Sequence, residues 1–179
     1  RAIDSIQSGN PPFVDEGVVF SIPTQDPRWA VSTDFESVIP YSDIVLITVP
    51  TPVNNDKSPN LSYVISASRS VMEALNPRKR TIVVLESTVY PGVTRKELGL
   101  ICSDLGLEIG KHVQIAYSPE RINPGDPFHS AGSVDRIVGC DDPETGQYLA
   151  ELYSNITSAN SSYVGSIEVA EAAKLVENV

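Results

Sequence analysis

Residues 43–52 read Asp-Ile-Val-Leu-Ile-Thr-Val-Pro-Thr-Pro. The first seven form a nearly continuous apolar run, which is the pattern of a strand that helices cover on both faces. Pro50 and Pro52 have no backbone N–H to donate, so the hydrogen-bonded ladder is expected to stop before them. This stretch therefore predicts a buried strand over residues 43–49 and, with it, a layered α/β architecture.

Strands and helices alternate along the rest of the chain. Similar apolar runs occupy residues 81–85, 113–117 and 136–139, and shorter strands are predicted over residues 31–33 and 162–164. Because no two of these runs are joined by a tight hairpin, we expect βαβ units in a doubly wound, mostly parallel sheet. Helices are predicted over residues 1–8, 35–39, 60–75 and 94–104, from Asp142 onward, and from about Ser166 to the end. Gly9 is predicted to end the first helix, and Asp34 and Asn60 to cap the next two. A capping box from Thr94 to Glu97 is predicted to open the fourth.

The composition is that of a folded, acidic protein. Of the 179 residues, 41% are hydrophobic and 20% are charged, and the formal net charge is −10. An acidic surface weighs against non-specific nucleic-acid binding, and no apolar run is long enough to span a membrane, so we expect neither partner. Two cysteines do not form a disulfide framework and the two histidines stand alone, so no metal site is predicted. Cytoplasm is the default compartment.

Small hydroxyl residues follow three of the predicted strands. Thr51 follows the first, Ser87 and Thr88 follow the second, and Ser118 follows the third. The carboxyl ends of parallel strands share one edge of the sheet, where ligands of open α/β folds bind. At any single strand end, ordinary turn chemistry explains a hydroxyl better than a cofactor site does. Three in succession favour a cofactor site that uses hydroxyls and backbone N–H groups.

The loop after the third strand has an unusual set of polar groups. Residues 117–126 read Tyr-Ser-Pro-Glu-Arg-Ile-Asn-Pro-Gly-Asp. The prolines and the glycine restrict the backbone path, and between them lie a carboxylate at Glu120, a guanidinium at Arg121 and an amide at Asn123. Such a loop is suited to form the floor of a substrate site. The alternative is a solvated turn that contains an incidental Glu–Arg pair.

The last predicted helix presents a lysine and an amide on one face. Lys174 and Asn178 are four positions apart, and Ala170 precedes Lys174 by one turn and leaves space beside the ammonium group. The two donors together suit an oxyanion or an alcohol oxygen. The alternative is a solvated lysine paired with Glu171. The buried stripe of this helix is predicted to consist of Val169, Ala172, Leu175, Val176 and Val179.

No Gly-x-Gly-x-x-Gly dinucleotide fingerprint occurs in the chain. Four other segments nevertheless make the chain resemble the UDP-glucose/GDP-mannose dehydrogenase family, in the family's order and spacing. These segments are Val-Pro-Thr-Pro at 49–52, Glu-Ser-Thr-Val-Tyr-Pro-Gly at 86–92, the loop at 117–126, and Ala-Glu-Ala-Ala-Lys-Leu-Val-Glu-Asn at 170–178. The resemblance implies a Rossmann-like fold, NAD as the cofactor and oxidation of C6 of a nucleotide sugar from alcohol to carboxylate. Members of the family use two NAD⁺ and pass through an aldehyde, a cysteine thiohemiacetal and a thioester.

The resemblance also implies a role for each matching residue. Pro50, Thr51 and Pro52, together with Ser87, Thr88 and Val89, would line the NAD site, and Thr88 would help to hold a catalytic water. Glu120 would act with that water as the base in thioester hydrolysis. Substrate contacts would come from Glu120, Arg121, Ile122, Asn123 and Pro124. Lys174 and Asn178 would contact the substrate and stabilise oxyanion character at C6.

Within the family, the loop at 117–126 resembles the branch that acts on UDP-N-acetylhexosamines. That branch usually carries a basic residue beside the histidine that follows the loop, whereas here the run is Pro127-Phe128-His129-Ser130. If the basic residue meets the substrate, this contact is altered here.

The resemblance further suggests that the chain is a fragment. We expect residues 1–161 to be a partial NAD-binding domain that lacks its first βαβ unit, and residues 162–179 to begin a long central helix. The family's nucleophilic cysteine and UDP-binding domain would follow, so the isolated chain is expected to be inactive and the full-length protein to be a homodimer. Two alternatives stay open: a two-electron β-hydroxyacid or 6-phosphogluconate type of dehydrogenase, and a non-catalytic module that binds nucleotide sugars.

Overall fold

A computed structural model describes residues 2–10, 22–119, 134–157 and 159–177. The predicted alternation of strands and helices is present throughout these ranges. The strands are β1 (Ile44–Ile47), β2 (Thr81–Leu85), β3 (Val113–Tyr117), β4 (Arg136–Cys140) and β5 (Ser161–Tyr163). The helices are α1 (Ala2–Gln7), α2 (Phe35–Val38), α3 (Ser62–Glu73), α4 (Gly99–Asp104), α5 (Pro143–Ile156) and α6 (Ile167–Glu177), with a 3₁₀ turn at Ile39–Tyr41 and a π-helical turn at Thr94–Leu98.

The five strands form one sheet in the order β1-β2-β3-β4-β5. The pairs β1–β2, β2–β3 and β4–β5 are parallel, as predicted, whereas β3 and β4 are antiparallel. Because Tyr117 pairs with Gly139, the first residue of β4, Arg136, lies beyond the carboxyl end of β3. The antiparallel strand therefore brings a cation to the edge where β1, β2 and β3 end.

The core lies on both faces of the sheet. On one face, α3, the π-helical turn and α6 pack on the sheet through Met72, Leu98 and Ala170, respectively. On the other face, α5 packs on the sheet through Leu149 and Tyr153. Burying one such aliphatic side chain contributes on the order of 2 kcal/mol, so these two layers supply most of the apolar stabilisation.

The prediction of full burial is wrong for β1. Leu46 is 46% exposed, although Val45 and Ile47 on the opposite face are buried. Leu46 lies on the face of the sheet that α5 covers. However, α5 packs against β4 and β5, at the opposite end of the strand order from β1. Within the described ranges, no helix therefore reaches Leu46.

Local capping follows the predictions at α2 and α5 and departs from them at α3 and at the helical segment from Thr94. The N-cap of α3 is Leu61 rather than the predicted Asn60, whose side chain accepts from the Ser62 N–H. Asp34 accepts a hydrogen bond from the Ser37 N–H, and Asp142 accepts from the Thr145 N–H. The capping box predicted at Thr94 is absent, because the chain is already helical at Val93, which makes no side-chain cap. The short strand predicted over residues 31–33 is also absent, and irregular backbone takes its place. Among the described residues, no helix has the length and apolarity needed to cross a bilayer.

Candidate functional site

The carboxyl ends of β1 and β2 are joined by a serine side chain. The Ser87 hydroxyl donates to the Val49 carbonyl over 2.6 Å and is buried. Val89 is buried in the core, whereas Thr88 between them is exposed. The inward-facing neighbours therefore hold the backbone so that Thr88 presents its hydroxyl at the edge of the sheet.

The first strand end offers a similar but more open surface. Thr51 is half-buried there, and Pro50 and Pro52 are exposed on either side. Hydroxyls at Thr51 and Thr88, with the backbone groups around them, can hydrogen-bond to ribose or amide groups. This donor and acceptor set fits a dinucleotide at the edge where ligands of such sheets bind.

Helix α6 packs closely against β4. A Cβ atom added at Gly139 would lie 2.7 Å from the Ser166 carbonyl oxygen and 2.8 Å from the Ala170 Cβ. Only a glycine leaves room for this approach, because real Cβ atoms do not come so near to other heavy atoms. The contact brings the start of α6 against the sheet next to the end of β3.

The face of α6 that is buried is not the one that was predicted. Val169 and Leu175 are each 50% exposed, and Val176 is 75% exposed. The buried residues of the helix are instead Ile167, Ala170, Glu171 and Lys174. The apolar period was misleading because two charged residues lie on the packed face, where they meet polar partners that a hydropathy pattern does not register.

Glu171 forms the main polar connection between α6 and the rest of the domain. Its side chain is fully buried and accepts hydrogen bonds from the backbone N–H groups of Gly92, over 2.6 Å, and Thr94, over 2.9 Å. These N–H groups open the helical segment that follows the Ser87–Thr88 turn, and a carboxylate is stabilised at a helix start. The predicted alternative, in which Glu171 pairs with a solvated Lys174, is therefore wrong.

Lys174 lies on the same buried face, one turn after Glu171. Its side chain is 10% exposed, and its Nζ atom lies 3.7 Å from a carboxylate oxygen of Glu177. A lysine this deeply buried is uncommon in proteins without a partner or a function. Asn178, which was predicted to act beside it, lies outside the described residues.

A second buried charged cluster was missed at the sequence level. Tyr153 donates its hydroxyl proton to Glu86 over 2.5 Å, and the Arg136 guanidinium donates to the same oxygen over 3.2 Å. The guanidinium carbon also lies 4.9 Å from the centre of the Tyr153 ring. Burial, reinforced by the charge of Glu86, raises the pKa of the Tyr153 phenol. The available signal was Glu86 itself, a carboxylate directly after a buried strand.

This cluster connects the ends of two strands. Glu86 follows β2, and Arg136 begins β4. The residues predicted to form the substrate floor, Glu120 to Pro124, lie outside the described part of the chain.

Neither cysteine has the environment of a nucleophile. Cys102 and Cys140 are both 1% exposed, and burial raises the pKa of each thiol. A reactive cysteine instead has a depressed pKa and solvent access. The described ranges also contain no group of three His, Cys, Asp or Glu side chains that could hold a metal ion.

A mostly parallel sheet with helices on both faces, and with hydroxyl-bearing turns at its carboxyl edge, defines a Rossmann-like dinucleotide-binding domain. Residues 1–157 match the NAD binding domain of the UDP-glucose/GDP-mannose dehydrogenase family. The chain belongs to this family, and the resemblance noted at the sequence level is confirmed.

Similar proteins support this assignment. The chain is 41% identical over 138 residues to protein CapL of Staphylococcus aureus, and 39% identical over 137 residues to UDP-N-acetyl-D-glucosamine 6-dehydrogenase of Pseudomonas aeruginosa. Both alignments cover 76% of this chain but 32% of the relative. The crystal structure of GDP-mannose dehydrogenase from Pseudomonas aeruginosa matches with a TM-score of 0.86 and 27% identity, over 98% of this chain and 41% of that protein. The chain thus spans about a third of the length of the curated relatives that it matches.

Proposed function

We propose that this chain is the NAD-binding part of a nucleotide-sugar 6-dehydrogenase, which oxidises the C6 hydroxyl of a UDP-N-acetylhexosamine to a carboxylate. The observation that carries the proposal is the buried Lys174 on α6, a helix that Glu171 joins to the turn after β2. This arrangement associates a cation with the cofactor edge of the sheet. The named relatives, which include a UDP-N-acetyl-D-glucosamine 6-dehydrogenase, support the substrate class.

The residues proposed to bind the cofactor lie at the ends of β1 and β2. Thr51 and Thr88 would hydrogen-bond to NAD, Pro50 and Pro52 would flank it, and Ser87 and Val89 would hold the turn from beneath. NAD bound at this edge would supply a hydride acceptor, and two equivalents would be needed to take an alcohol to a carboxylate. Thr88, as the exposed hydroxyl of the turn, would also hold the water that attacks C6 in the second half of the reaction.

The substrate side would be formed by two segments, α6 with Asn178 and residues 120–124. Lys174 and Asn178 would donate to the C6 oxygen as negative charge develops on it, and preorganised donors of this kind contribute about 3 kcal/mol to a transition state. Glu120 would take the proton from the attacking water, and residues 121–124 would contact the sugar nucleotide. The nucleophilic cysteine is expected outside these 179 residues, since Cys102 and Cys140 are buried.

Two further features are proposed for the whole protein. Residues 1–161 would form the NAD-binding domain and residues 162–179 the start of a central helical region, with β5 completing the sheet across this boundary. The full-length protein would be a homodimer in the cytoplasm, where nucleotide sugars for polysaccharide synthesis are made. Family membership sets aside the β-hydroxyacid type of dehydrogenase. A module that binds nucleotide sugars without catalysis remains the competing candidate.

The experiment that tests this function is the stoichiometry of NADH formed per sugar. The full-length protein should form two NADH for each UDP-N-acetylglucosamine or UDP-N-acetylmannosamine consumed. At equal concentration, it should oxidise UDP-glucose and GDP-mannose more slowly. One NADH per sugar would refute the four-electron reaction, and none with any of the four would favour the non-catalytic module. The 179-residue chain alone should form no NADH, which serves as the negative control.

A further inference from the structure

Glu171 caps a helix that belongs to a different part of the chain. Its two carboxylate oxygens are used separately: Oε2 accepts from Gly92 and Oε1 from Thr94. The donors lie 79 and 77 positions earlier in sequence. The backbone N–H groups at the start of a helix are usually satisfied by a local Ser, Thr, Asp or Asn. Here Val93 provides no such cap, so the first turn depends on α6.

Burying a carboxylate in this position is unfavourable unless its contacts compensate for the lost solvation free energy. Glu171 is 0% exposed, and an unpaired charge at such a site would cost several kcal/mol. Two short hydrogen bonds from N–H groups at a helix start compensate for that cost. A local cap accepts from the N–H groups of the second or third helical residue, so it could not bind the N–H groups of Gly92 and Thr94 together. The arrangement adds something that a local cap would not, namely a rigid link between α6 and the turn.

The turn between β2 and this helix is held at both ends. At its start, Ser87 donates to Val49 and so attaches the turn to β1. At its end, Gly92 adopts a φ of +94° and its N–H binds Glu171. Thr88 lies between these two attachments with its side chain exposed. The second attachment is therefore the one that sets Thr88 relative to α6.

The same helix face carries Lys174, three positions after Glu171. Both side chains are buried, and a helix transmits the position of one residue to another on the same face. Tyr117, the last residue of β3, also lies near Glu171, whose charge adds to the effect of burial in raising the pKa of the phenol. One carboxylate thus connects the cofactor turn, the end of β3 and the helix of the proposed oxyanion donor.

We propose that Glu171 is a positioning residue, which fixes the cofactor turn around Thr88 against α6 and so sets the distance between the bound nicotinamide and the C6 oxygen held by Lys174. This proposal rests on the proposed function for its consequence in catalysis, and on the described contacts for the link itself. Glu171 touches neither cofactor nor substrate in this assignment, and it acts through the backbone of Gly92 and Thr94.

The test compares Glu171→Gln with two control variants in the full-length protein. The glutamine keeps the shape of the side chain but offers one acceptor oxygen to two N–H donors, which leaves one of them unpaired. Glu168→Gln, one turn earlier on α6, removes the surface ion pair with Arg95 on the same helical segment, and so serves as the control for a weaker attachment that leaves both hydrogen bonds of Glu171 in place. Leu149→Ala lowers stability from the opposite face of the sheet, where α5 packs, and so serves as the control for stability loss alone.

Three measurements separate the possible outcomes, all taken well below the unfolding temperature of each variant. Amide exchange at Gly92 and Thr94 should accelerate in Glu171→Gln and in neither control. The Kd of NAD⁺ from calorimetry should rise about tenfold, and kcat should fall about 100-fold with KM for the sugar nearly unchanged, because a displacement of 1 Å costs about that much in rate. Both controls should keep Kd and kcat within about twofold, because both leave the two hydrogen bonds of Glu171 in place.

Each contrary result has a distinct meaning. Unchanged amide exchange in Glu171→Gln would overturn the link itself, whatever the activity. Faster exchange with normal Kd and kcat would overturn the positioning role. An equal fall of kcat in Leu149→Ala would show that lost stability alone explains the slower reaction. This result would also overturn the positioning role. If the unaltered protein neither binds NAD⁺ nor forms NADH, the proposed function fails and the positioning role fails with it, while amide exchange still reports on the link.

Discussion

Tyr153 on α5 donates a hydrogen bond to Glu86 at the end of β2, with 2.5 Å between Oη and Oε1. The two residues come from elements on different layers of the domain, and Arg136 of β4 donates to the same oxygen. A buried carboxylate is retained only when its charge is met by donors. This contact therefore attaches α5 to the strand ends that border the candidate site.

Replacing Tyr153 by Phe should destabilise the protein by about 1–3 kcal/mol, because one donor to the buried Glu86 is lost while the ring remains. Thermal unfolding measures the change. Tyr148→Phe is the matched control, since Tyr148 lies on the same helix and is 51% exposed, and it should change stability by less than about 0.5 kcal/mol. Equal effects of the two changes would show that the Glu86 contact contributes nothing.

Replacing Gly139 by Ala should displace α6 from β4. The added methyl group would lie within 3 Å of backbone atoms of Ser166 and Ile167, and overpacking of this kind costs about 1–3 kcal/mol. Activity should fall together with stability, because Lys174 moves with the helix. Gly99→Ala is the control: a Cβ there meets no atom within 4 Å, so a small gain in stability is expected. A Gly139→Ala protein with normal Tm and kcat would contradict the packing described here.

Replacing Lys174 by Ala should lower kcat about 100-fold or more while the Kd of NAD⁺ changes little, since an oxyanion donor acts mainly in the transition state. Steady-state kinetics and calorimetry make the comparison. The control is Lys111→Ala, on an exposed turn before β3 at the opposite edge of the sheet, and it should behave like the unaltered protein. Loss of NAD⁺ binding with kcat preserved would assign Lys174 to the cofactor instead.

Replacing Glu120 by Gln should stall the full-length protein after both two-electron oxidations, at the thioester, because an amide cannot take the proton from the attacking water. Mass spectrometry of the intact protein should then detect a sugar nucleotide bound covalently as a thioester. Glu151→Gln, on the exposed face of α5, should accumulate no such species. Hydrolysis at the normal rate in Glu120→Gln would show that this carboxylate is not the base.

Acid should weaken the attachment of α6 through Glu168. Hydrogen bonds from Arg95 lower the pKa of this carboxyl from its ordinary 4.5 to about 2. Because the pKa is depressed in the folded state, the stabilisation is complete above pH 4.5 and is lost as the pH falls towards 2. Glu168→Gln should therefore unfold more easily than the unaltered protein at pH 7, and the difference should shrink between pH 4.5 and 2. A constant difference across that interval would exclude the ion pair as its source.

The strands were the most predictable elements, because each buried strand is a local run of apolar residues. Residues 81–85 and 113–117 were predicted with the bounds that the structure shows. The orientation of β4 was not predictable from its sequence, since a short apolar strand pairs equally well in either direction. That orientation matters for the site because it brings Arg136 to the cofactor edge.

The candidate site was predicted as a set of residues rather than as a set of contacts. Thr51, Thr88 and Lys174 were identified from their position after strands or on a helix face. The roles of Glu86 and Glu171 were missed, since their partners lie 50 or more positions away in sequence. Hydropathy also assigned the wrong face of α6 to the core.

The sequence by itself determined the class of fold, the family and the strand ends at which a cofactor would bind, because apolar runs, proline stops and local motifs act over a few residues. Only the tertiary structure decided how those ends are held together. Glu171 and Glu86 are each stabilised by donors from distant segments, and the free energy of burying a charge depends on groups that no local pattern contains. Such long-range hydrogen bonds exist only once the chain has folded.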